Sequence, residues 1–379
     1  MNAPRHRLPD DTRAMLRDTL ARYLADHFDL DARRKLLSEP ATNAPLWRGL
    51  ARELGLLGAS LPESLGGMGG SREDALEIAQ TLGSALAAEP YLSTVIIAGH
   101  LLARTGGALA RAIVPAIIDG SVVVALAHDE PHSRFDAADL RSTLTASKDG
   151  WTLTGRKTLA HCAPWATHLL VSASDGQGGI SLALIDSGTP GIVRRDVRAL
   201  DGNPASELRF DAVAVPASAF IGEPGGALPL LEQALDEATL AVCAESIGVM
   251  RRLLNDTLVY ANQRKQFGVP IASFQVLQHR MVDMHIALEQ ARALTGAVAS
   301  QMDEAPTVRA AAVSSAKVAA SRACRIVGQG AVQVHGGMGM TDELAIGHYF
   351  KRATQIELSF GTVDQHLRRL DRLTAAADA

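Results

Sequence analysis

The chain has 379 residues, a length at which two or three sub-domains are expected. Its composition is 47% hydrophobic and 21% charged, which provides for a large buried core and excludes an intrinsically disordered protein. The formal net charge of −4 excludes a general affinity for nucleic acid or for an anionic membrane surface.

The cysteines and the N-terminal segment indicate the cellular compartment of the protein. Cys162, Cys243 and Cys324 are far apart and show no CxxC spacing, so neither a disulfide framework nor a metal site is expected. The start, "MNAPRHRLPDDTRAMLRD", lacks the apolar core of a signal peptide, and the longest apolar run, "YLSTVIIAGHLLA", is too short to span a bilayer. These features predict a cytoplasmic protein without membrane insertion.

The hydrophobic periodicity changes twice along the chain. From residue 8 to about 118, apolar residues recur at helical spacing, as in "LWRGLARELGLLGA". Short β-rich runs such as "SVVVALAHDE" and "GWTLTGRKT" follow, and Asp149-Gly150 predicts a tight hairpin between two of them. Helical spacing then returns, and "GALPLLEQALDEATLAVCAESIGVMRRLLNDTLVYANQR" predicts one long helix. We expect an N-terminal helical domain (1–119), a middle antiparallel β domain (120–222) and a C-terminal helical bundle (223–379).

Three C-terminal segments are informative when taken together. "NQRKQFGVPIASFQVLQHRMVDM" carries a basic pair, a Phe-Gly stop and a glutamine after a turn. "QVHGGMGMTDE" is a helix end followed by glycines, which allow close approach of the backbone to a ligand. "FGTVDQHL" follows one short helix later. A solvated helix end or a helix stop explains each segment alone, whereas their order and separation are much more specific.

In that order the chain resembles the acyl-CoA dehydrogenase family over nearly its whole length, including "LPESLGGMGGS" in the first helical domain. The resemblance implies a mainly α fold with a central β domain and a C-terminal four-helix bundle. It also implies FAD as the cofactor, an acyl-CoA thioester as the substrate, and a cofactor site completed across a subunit interface. The residues that it assigns to FAD are Arg264, Phe267, Gln275, Gln333, Gly336, Gly337 and Thr362.

The sequence departs from the family at the catalytic position. Members carry a glutamate before Gly-Thr that removes the substrate α proton, and this chain has Phe360 there. Only the backbone N–H of Phe360 remains to support the thioester oxygen. "HDEPHSRFDAADL" and "KTLAHCAPW" also depart from the family's flavin-contacting runs. The pattern looks most like the small-subunit type, such as that of pimeloyl-CoA dehydrogenase, which is found with a homologous second chain.

Other carboxylates of the chain are candidates for the base. Some branches of the family place the glutamate on the first long C-terminal helix, where this chain has Ala238. Glu245 lies seven residues further, almost two full turns, so it points in nearly the same direction from a small, apolar face. Proton abstraction and a structural ion pair, with an arginine such as Arg280 or Arg322, are both compatible with this setting. Glu357 and Glu237 are weaker alternatives, and Glu237 is expected on a polar edge.

Three functions therefore remain open from the sequence. The first is α,β-desaturation of an acyl-CoA by an FAD-dependent dehydrogenase, with proton transfer to a carboxylate and hydride transfer to flavin N5. The second is a non-catalytic or half-site subunit of a hetero-oligomeric dehydrogenase, and the third is a flavin monooxygenase or oxidase on the same fold. The resemblance implies a homo-oligomer or a heterotetramer with a homologous subunit. It also implies an electron-transfer flavoprotein or a similar acceptor.

Overall fold

The computed structural model describes residues 8–38, 45–87, 90–147 and 150–377. The chain divides into two compact units. Unit 1 comprises Met1–Leu16, Asp31–Ala75 and Glu89–Ala238, and unit 2 comprises Arg17–Leu30, Leu76–Ala88 and Thr239–Ala379.

Helices occupy the N-terminal part of the chain, as the helical periodicity predicts. The first begins at Asp10 and Asp11, whose carboxylates favour the positive end of a helix. The apolar run that contains His100 starts as a π-helix, Leu92–Gly99, and continues as an α-helix. The α-helices are Asp10–His27 (α1), Leu30–Ser38 (α2), Pro45–Arg48 (α3), Arg72–Gly83 (α4), His100–Thr105 (α5) and Gly107–Ile118 (α6).

A curled sheet follows in unit 1. Its strands are Val124–Ala127 (β1), Thr143–Ser147 (β2), Gly150–His161 (β3), His168–Ser174 (β4), Ile180–Asp186 (β5), Ile192–Arg198 (β6) and Pro204–Val215 (β7). The strand order is β1-β4-β2-β3-β7-β6, with β5 also paired to β4. One face encloses an apolar core that includes Leu153, Leu169 and Phe210. Since β6 lies at the edge, its side chains are mostly exposed.

The C-terminal part is again helical. Its helices are Leu228–Gln263 (α7), Gln275–Ala299 (α8), Pro306–His335 (α9), Ala345–Leu358 (α10) and Val363–Ala377 (α11), and a short hairpin, Lys265–Gln266 (β8) with Val269–Pro270 (β9), joins α7 to α8. Within unit 2, α4 packs so closely on α7 that a Cβ at Gly248 would overlap the carbonyl oxygen of Gln80. Only glycine permits this approach.

The expected fold class and the long helix α7 are confirmed. The described residues of the C-terminal part form five α-helices, α7–α11, which is one more than the expected four-helix bundle. The sheet is not wholly antiparallel, because β1 runs parallel to β4. The β2–β3 hairpin lies between β1 and β4 in the sequence, so the connection is long enough for the chain to come back and pair in parallel. Asp149 lies outside the described residues, although Ser147 and Gly150 pair in antiparallel register. The three-domain boundaries stay a prediction. Among the described helices, none is long and apolar enough to cross a membrane.

Candidate functional site

The "FGTVDQHL" motif forms the turn between α10 and α11 in unit 2. Phe360 and Gly361 have φ angles of 55° and 112°, both in the left-handed region. The Nζ of buried Lys317, on α9, donates to the carbonyl oxygens of Ile356 at 2.8 Å, Glu357 at 3.2 Å and Gly361 at 3.0 Å. The last carbonyl groups of a helix lack intrahelical hydrogen-bond partners. Lys317 supplies donors to these carbonyl groups at the end of α10 and fixes the turn that follows.

His366 holds the same turn from α11. Its Nε2 lies 3.0 Å from the carbonyl oxygen of Phe360, and its Nδ1 lies 3.1 Å from Oγ of Ser314. Because a carbonyl oxygen only accepts, Nε2 carries the proton and Nδ1 accepts from the Ser314 hydroxyl. Burial, with the charge of Lys317 next, lowers the pKa of His366 to about 4, so the imidazole is neutral at physiological pH. Buried donors therefore hold the turn from both sides.

Glu245 forms a buried ion pair in unit 2. Its two carboxylate oxygens accept from Nε and Nη2 of Arg352 at 2.5 and 2.7 Å, and the two side chains are 2% and 5% exposed. The partner expected from the sequence was Arg280 or Arg322. That expectation is wrong, because both of these arginines are exposed and Arg352 on α10 occupies the position instead. The geometry favours the structural alternative for Glu245, and its role as a base stays a prediction.

The other candidate carboxylates are also engaged. In unit 2, Glu357 accepts from Nη2 of Arg325 at 2.7 Å. The polar-edge expectation for Glu237 is wrong, because its side chain is 1% exposed within unit 1. Its partners are Arg72 at 3.4 Å, Nδ1 of His100 at 3.4 Å, and Arg104. Burial acts to raise the pKa of Glu237, but His100, Arg104 and Arg72 together lower it to about 2. Such a carboxylate is a weak proton acceptor near neutral pH.

The first predicted cofactor segment is exposed on unit 2. Arg264 directly follows α7, and its carbonyl oxygen accepts from the N–H of Ile271 at 2.8 Å, which closes the β8–β9 hairpin. Phe267, at the tip, is 93% exposed and has a φ of 53°. Gln275 is exposed at the start of α8. A large apolar ring presented outward on a strained backbone indicates a contact surface rather than core packing.

The second predicted segment lies beside the first. Gln333 is exposed near the end of α9, and Gly336 and Gly337 follow, with open space where a Cβ would stand. The rings of Tyr260 and His335 stack with centroids 4.2 Å apart, which joins the end of α7 to the end of α9. The structure thus brings the Arg264 hairpin and the glycine segment together. Thr362 belongs instead to the α10–α11 turn, where Oγ1 accepts from the N–H of Gln365 at 3.4 Å.

Unit 1 contains a buried polar network that the sequence analysis did not predict. Nζ of Lys157 donates to Oε1 of Glu130 at 2.7 Å and to the carbonyl oxygen of His128 at 3.0 Å. Glu130 also accepts from the N–H groups of Arg141 and Ser142 at 2.8 and 3.1 Å. This network fixes the loop that departs from the family pattern. The available signal was Glu130-Pro131 together with Lys157, which alternates with the neighbouring Arg156 and Thr158 and so falls on the inner face of β3. Burial, the largest influence, lowers the pKa of Lys157 to about 8.

Family models match along most of the chain. They are the N-terminal domain of acyl-CoA dehydrogenase at residues 10–121, the middle domain at 125–213 and the C-terminal domain at 228–373. The matches define a three-part flavoenzyme architecture, and members of this class are FAD-dependent oxidoreductases. The chain belongs to the acyl-CoA dehydrogenase family.

Relatives of known identity resemble the chain over most of its length. The human mitochondrial short-chain specific acyl-CoA dehydrogenase is 30% identical over 320 residues, which cover 82% of this chain and 77% of that protein. The ChsE4–ChsE5 complex from Mycobacterium tuberculosis contains a chain that is 27% identical, with a TM-score of 0.89 and coverage of 97% and 98%. A chain of the Tcur3481–Tcur3483 steroid ACAD variant is 30% identical, with a TM-score of 0.88 and coverage of 97% and 99%.

Proposed function

We propose that this chain binds FAD without a covalent bond and takes part in α,β-desaturation of an acyl-CoA thioester. One observation carries the proposal. The Tyr260–His335 stack places the Arg264 hairpin beside Gly336 and Gly337 on an exposed surface of unit 2. The family membership of the chain agrees with that placement.

The residues present fit the cofactor. Arg264 is exposed, and its planar guanidinium suits a pyrophosphate, to which it donates paired hydrogen bonds. Gly336 and Gly337 leave their backbone reachable by an adenine dinucleotide. When bound, FAD supplies the acceptor for the hydrogen that leaves the substrate β carbon. An electron-transfer flavoprotein or a similar acceptor would then reoxidise it.

The α10–α11 turn would act on the thioester. In the described part of the chain no group accepts a hydrogen bond from the N–H of Phe360, so this donor is available for the thioester oxygen as negative charge develops there. Lys317 and His366 fix the turn through its carbonyl groups. Since a donor stabilises developing charge best when it is held in place beforehand, these two residues would position the N–H rather than react themselves.

A half-site role in a hetero-oligomer is the second candidate function. The specific observation is that Glu245, Glu357 and Glu237 are all held by arginines, so none is a free carboxylate for the α proton. We propose that Glu245 is structural and that a homologous chain supplies the base. Exposed apolar side chains at Phe267, Val276 and Val282 provide a surface for such a subunit, or for a second copy of this chain. An obligate interface buries upwards of ~2,000 Å².

Purification of the chain alone and after co-expression with a homologous chain tests both functions. The visible absorbance spectrum reports bound flavin, and anaerobic mixing with acyl-CoA reports flavin reduction in a single turnover. Flavin in either preparation supports the cofactor assignment, and a colourless protein in both contradicts it. Reduction in the protein purified alone favours an autonomous enzyme. Reduction only in the mixed preparation favours the half-site subunit.

A further inference from the structure

A groove of about 450 Å³ lies on the outer face of the sheet in unit 1, over β3, β7 and β6. Its lining is rich in arginine and includes Arg156, Thr158, Val193, Arg195, Glu207 and Arg209. Side chains alternate between the two faces of a strand, and the buried neighbours Lys157 and Leu208 point to the inner face. The arginines therefore project into the groove. Its volume falls in the range of ordinary small-molecule sites, roughly 300–1,000 Å³.

The charges in this groove are unbalanced. Arg156 on β3 lies directly opposite Arg209 on β7 in the sheet register. Like charges in directly opposite positions destabilise a sheet. Arg209 has Asp211 at 2.9 Å and Arg195 has Glu207 at 2.7 Å, whereas the described residues give Arg156 no acidic partner. The groove thus keeps an excess positive charge at the point where two arginines occupy directly opposite positions of the sheet.

We propose that this groove binds a phosphate-bearing ligand through a pyrophosphate group placed between Arg156 and Arg209. A polyanion between the two guanidinium groups replaces their repulsion by charge-assisted hydrogen bonds to both, and the planar guanidinium fork matches phosphate oxygens. The pyrophosphate has three possible sources: the bound dinucleotide, the CoA part of the thioester, or a free nucleotide. Assignment to either of the first two rests on the proposed function. The binding of a pyrophosphate group in this groove does not.

The test uses inorganic pyrophosphate as the probe, measured by titration calorimetry on the full-length protein at low ionic strength. Arg156→Gln and Arg209→Gln should each weaken binding by about tenfold, because each removes charge-assisted hydrogen bonds. Arg198→Gln is the matched control, since Arg198 is an exposed arginine of the same sheet outside the groove lining. It should leave the affinity within about twofold of that of the unmodified protein.

Thermal unfolding gives an independent readout. Without added anions, Arg156→Gln should unfold at the same temperature as the unmodified protein or higher, because the substitution removes a like-charge pair. Added pyrophosphate should raise the unfolding temperature of the unmodified protein more than that of the variant, since only ligand that binds the folded state stabilises it. Equal weakening in all three variants would show general charge attraction and overturn the proposal. Unchanged affinity in Arg156→Gln and Arg209→Gln would also overturn it.

The same variants, made in the flavin-loaded protein, identify the source of the pyrophosphate group. Loss of FAD from Arg156→Gln points to the dinucleotide, and weaker CoA binding with FAD retained points to the thioester. Weaker pyrophosphate binding with neither of these effects points to a free nucleotide. A protein that takes up no FAD at all contradicts the proposed function. The pyrophosphate titration still decides whether the groove is a binding site.

Discussion

The ion pair between Glu245 and Arg352 allows the structural and catalytic roles of Glu245 to be separated. Glu245→Gln keeps the shape of the side chain but removes the negative charge that pairs with the buried Arg352 guanidinium. Both carboxylate oxygens are used and both side chains are nearly inaccessible, so solvent screens the pair little. Removal of one partner from a buried pair costs about 3–5 kcal/mol, and glutamine retains one acceptor, so we expect a loss of about 3 kcal/mol.

The assay is urea unfolding followed by circular dichroism, with Glu245→Gln, Arg352→Gln and the double variant in one cycle. The double variant should recover part of the loss, with a coupling energy of roughly 1–3 kcal/mol. Asp256→Asn is the matched control on the same helix, because its pair with Arg252 is partly exposed, and it should cost below about 1 kcal/mol. An unchanged free energy of unfolding, with flavin reduction slowed by ~10²–10⁴-fold, would refute the structural role and identify Glu245 as the base.

Three further predictions concern unit 2. Arg264→Gln should lower flavin affinity with helical content unchanged, and equal flavin occupancy in the variant would contradict its assignment. The folded state lowers the pKa of His366 to about 4 from 6.5, so its contribution is complete above pH 6.5 and is lost as the pH falls towards 4. The loss is on the order of 3 kcal/mol, and the pH dependence of unfolding should flatten in His366→Gln. Phe360→Glu should leave the rate of single-turnover flavin reduction unchanged, because a base also needs surroundings that tune its pKa. A rise of about 100-fold in that rate would refute this expectation.

Local pattern in the sequence was sufficient for the fold class, whereas the roles of the cofactor segments stay a prediction. The 36 residues of α7 carry an unbroken helical pattern, and helix propensity and periodicity are properties of neighbouring residues. Order and separation predict that the Arg264 and Gly336 segments form one site, and the Tyr260–His335 stack brings these two segments side by side although they are distant along the chain. Tertiary packing creates that stack, so periodicity alone could not predict it.

Contacts between residues far apart in the sequence were the main feature that the sequence could not predict. Glu245 and Arg352 are 107 positions apart, and several exposed arginines satisfied the sequence criteria equally well. Lys317 did leave a signal, as the single charge in "AAAVSSAKVAAS", because an isolated lysine in a run of small residues must find acceptors once it is buried. The identity of those acceptors depends on where α10 ends relative to α9. That relation is set by packing and not by local sequence.

The turn at Phe360 has kept its geometry although its side chain cannot serve as a base. A bulky residue in the left-handed region costs of order 1–3 kcal/mol, and such strain persists only where the surroundings impose it. Here buried Lys317 and neutral His366 impose it, through the carbonyl oxygens of Gly361 and Phe360. A turn that served only to connect two helices would not need two buried polar residues. We infer that the backbone of this turn is its functional part, which is consistent with an N–H donor to a thioester and with a base supplied by another chain.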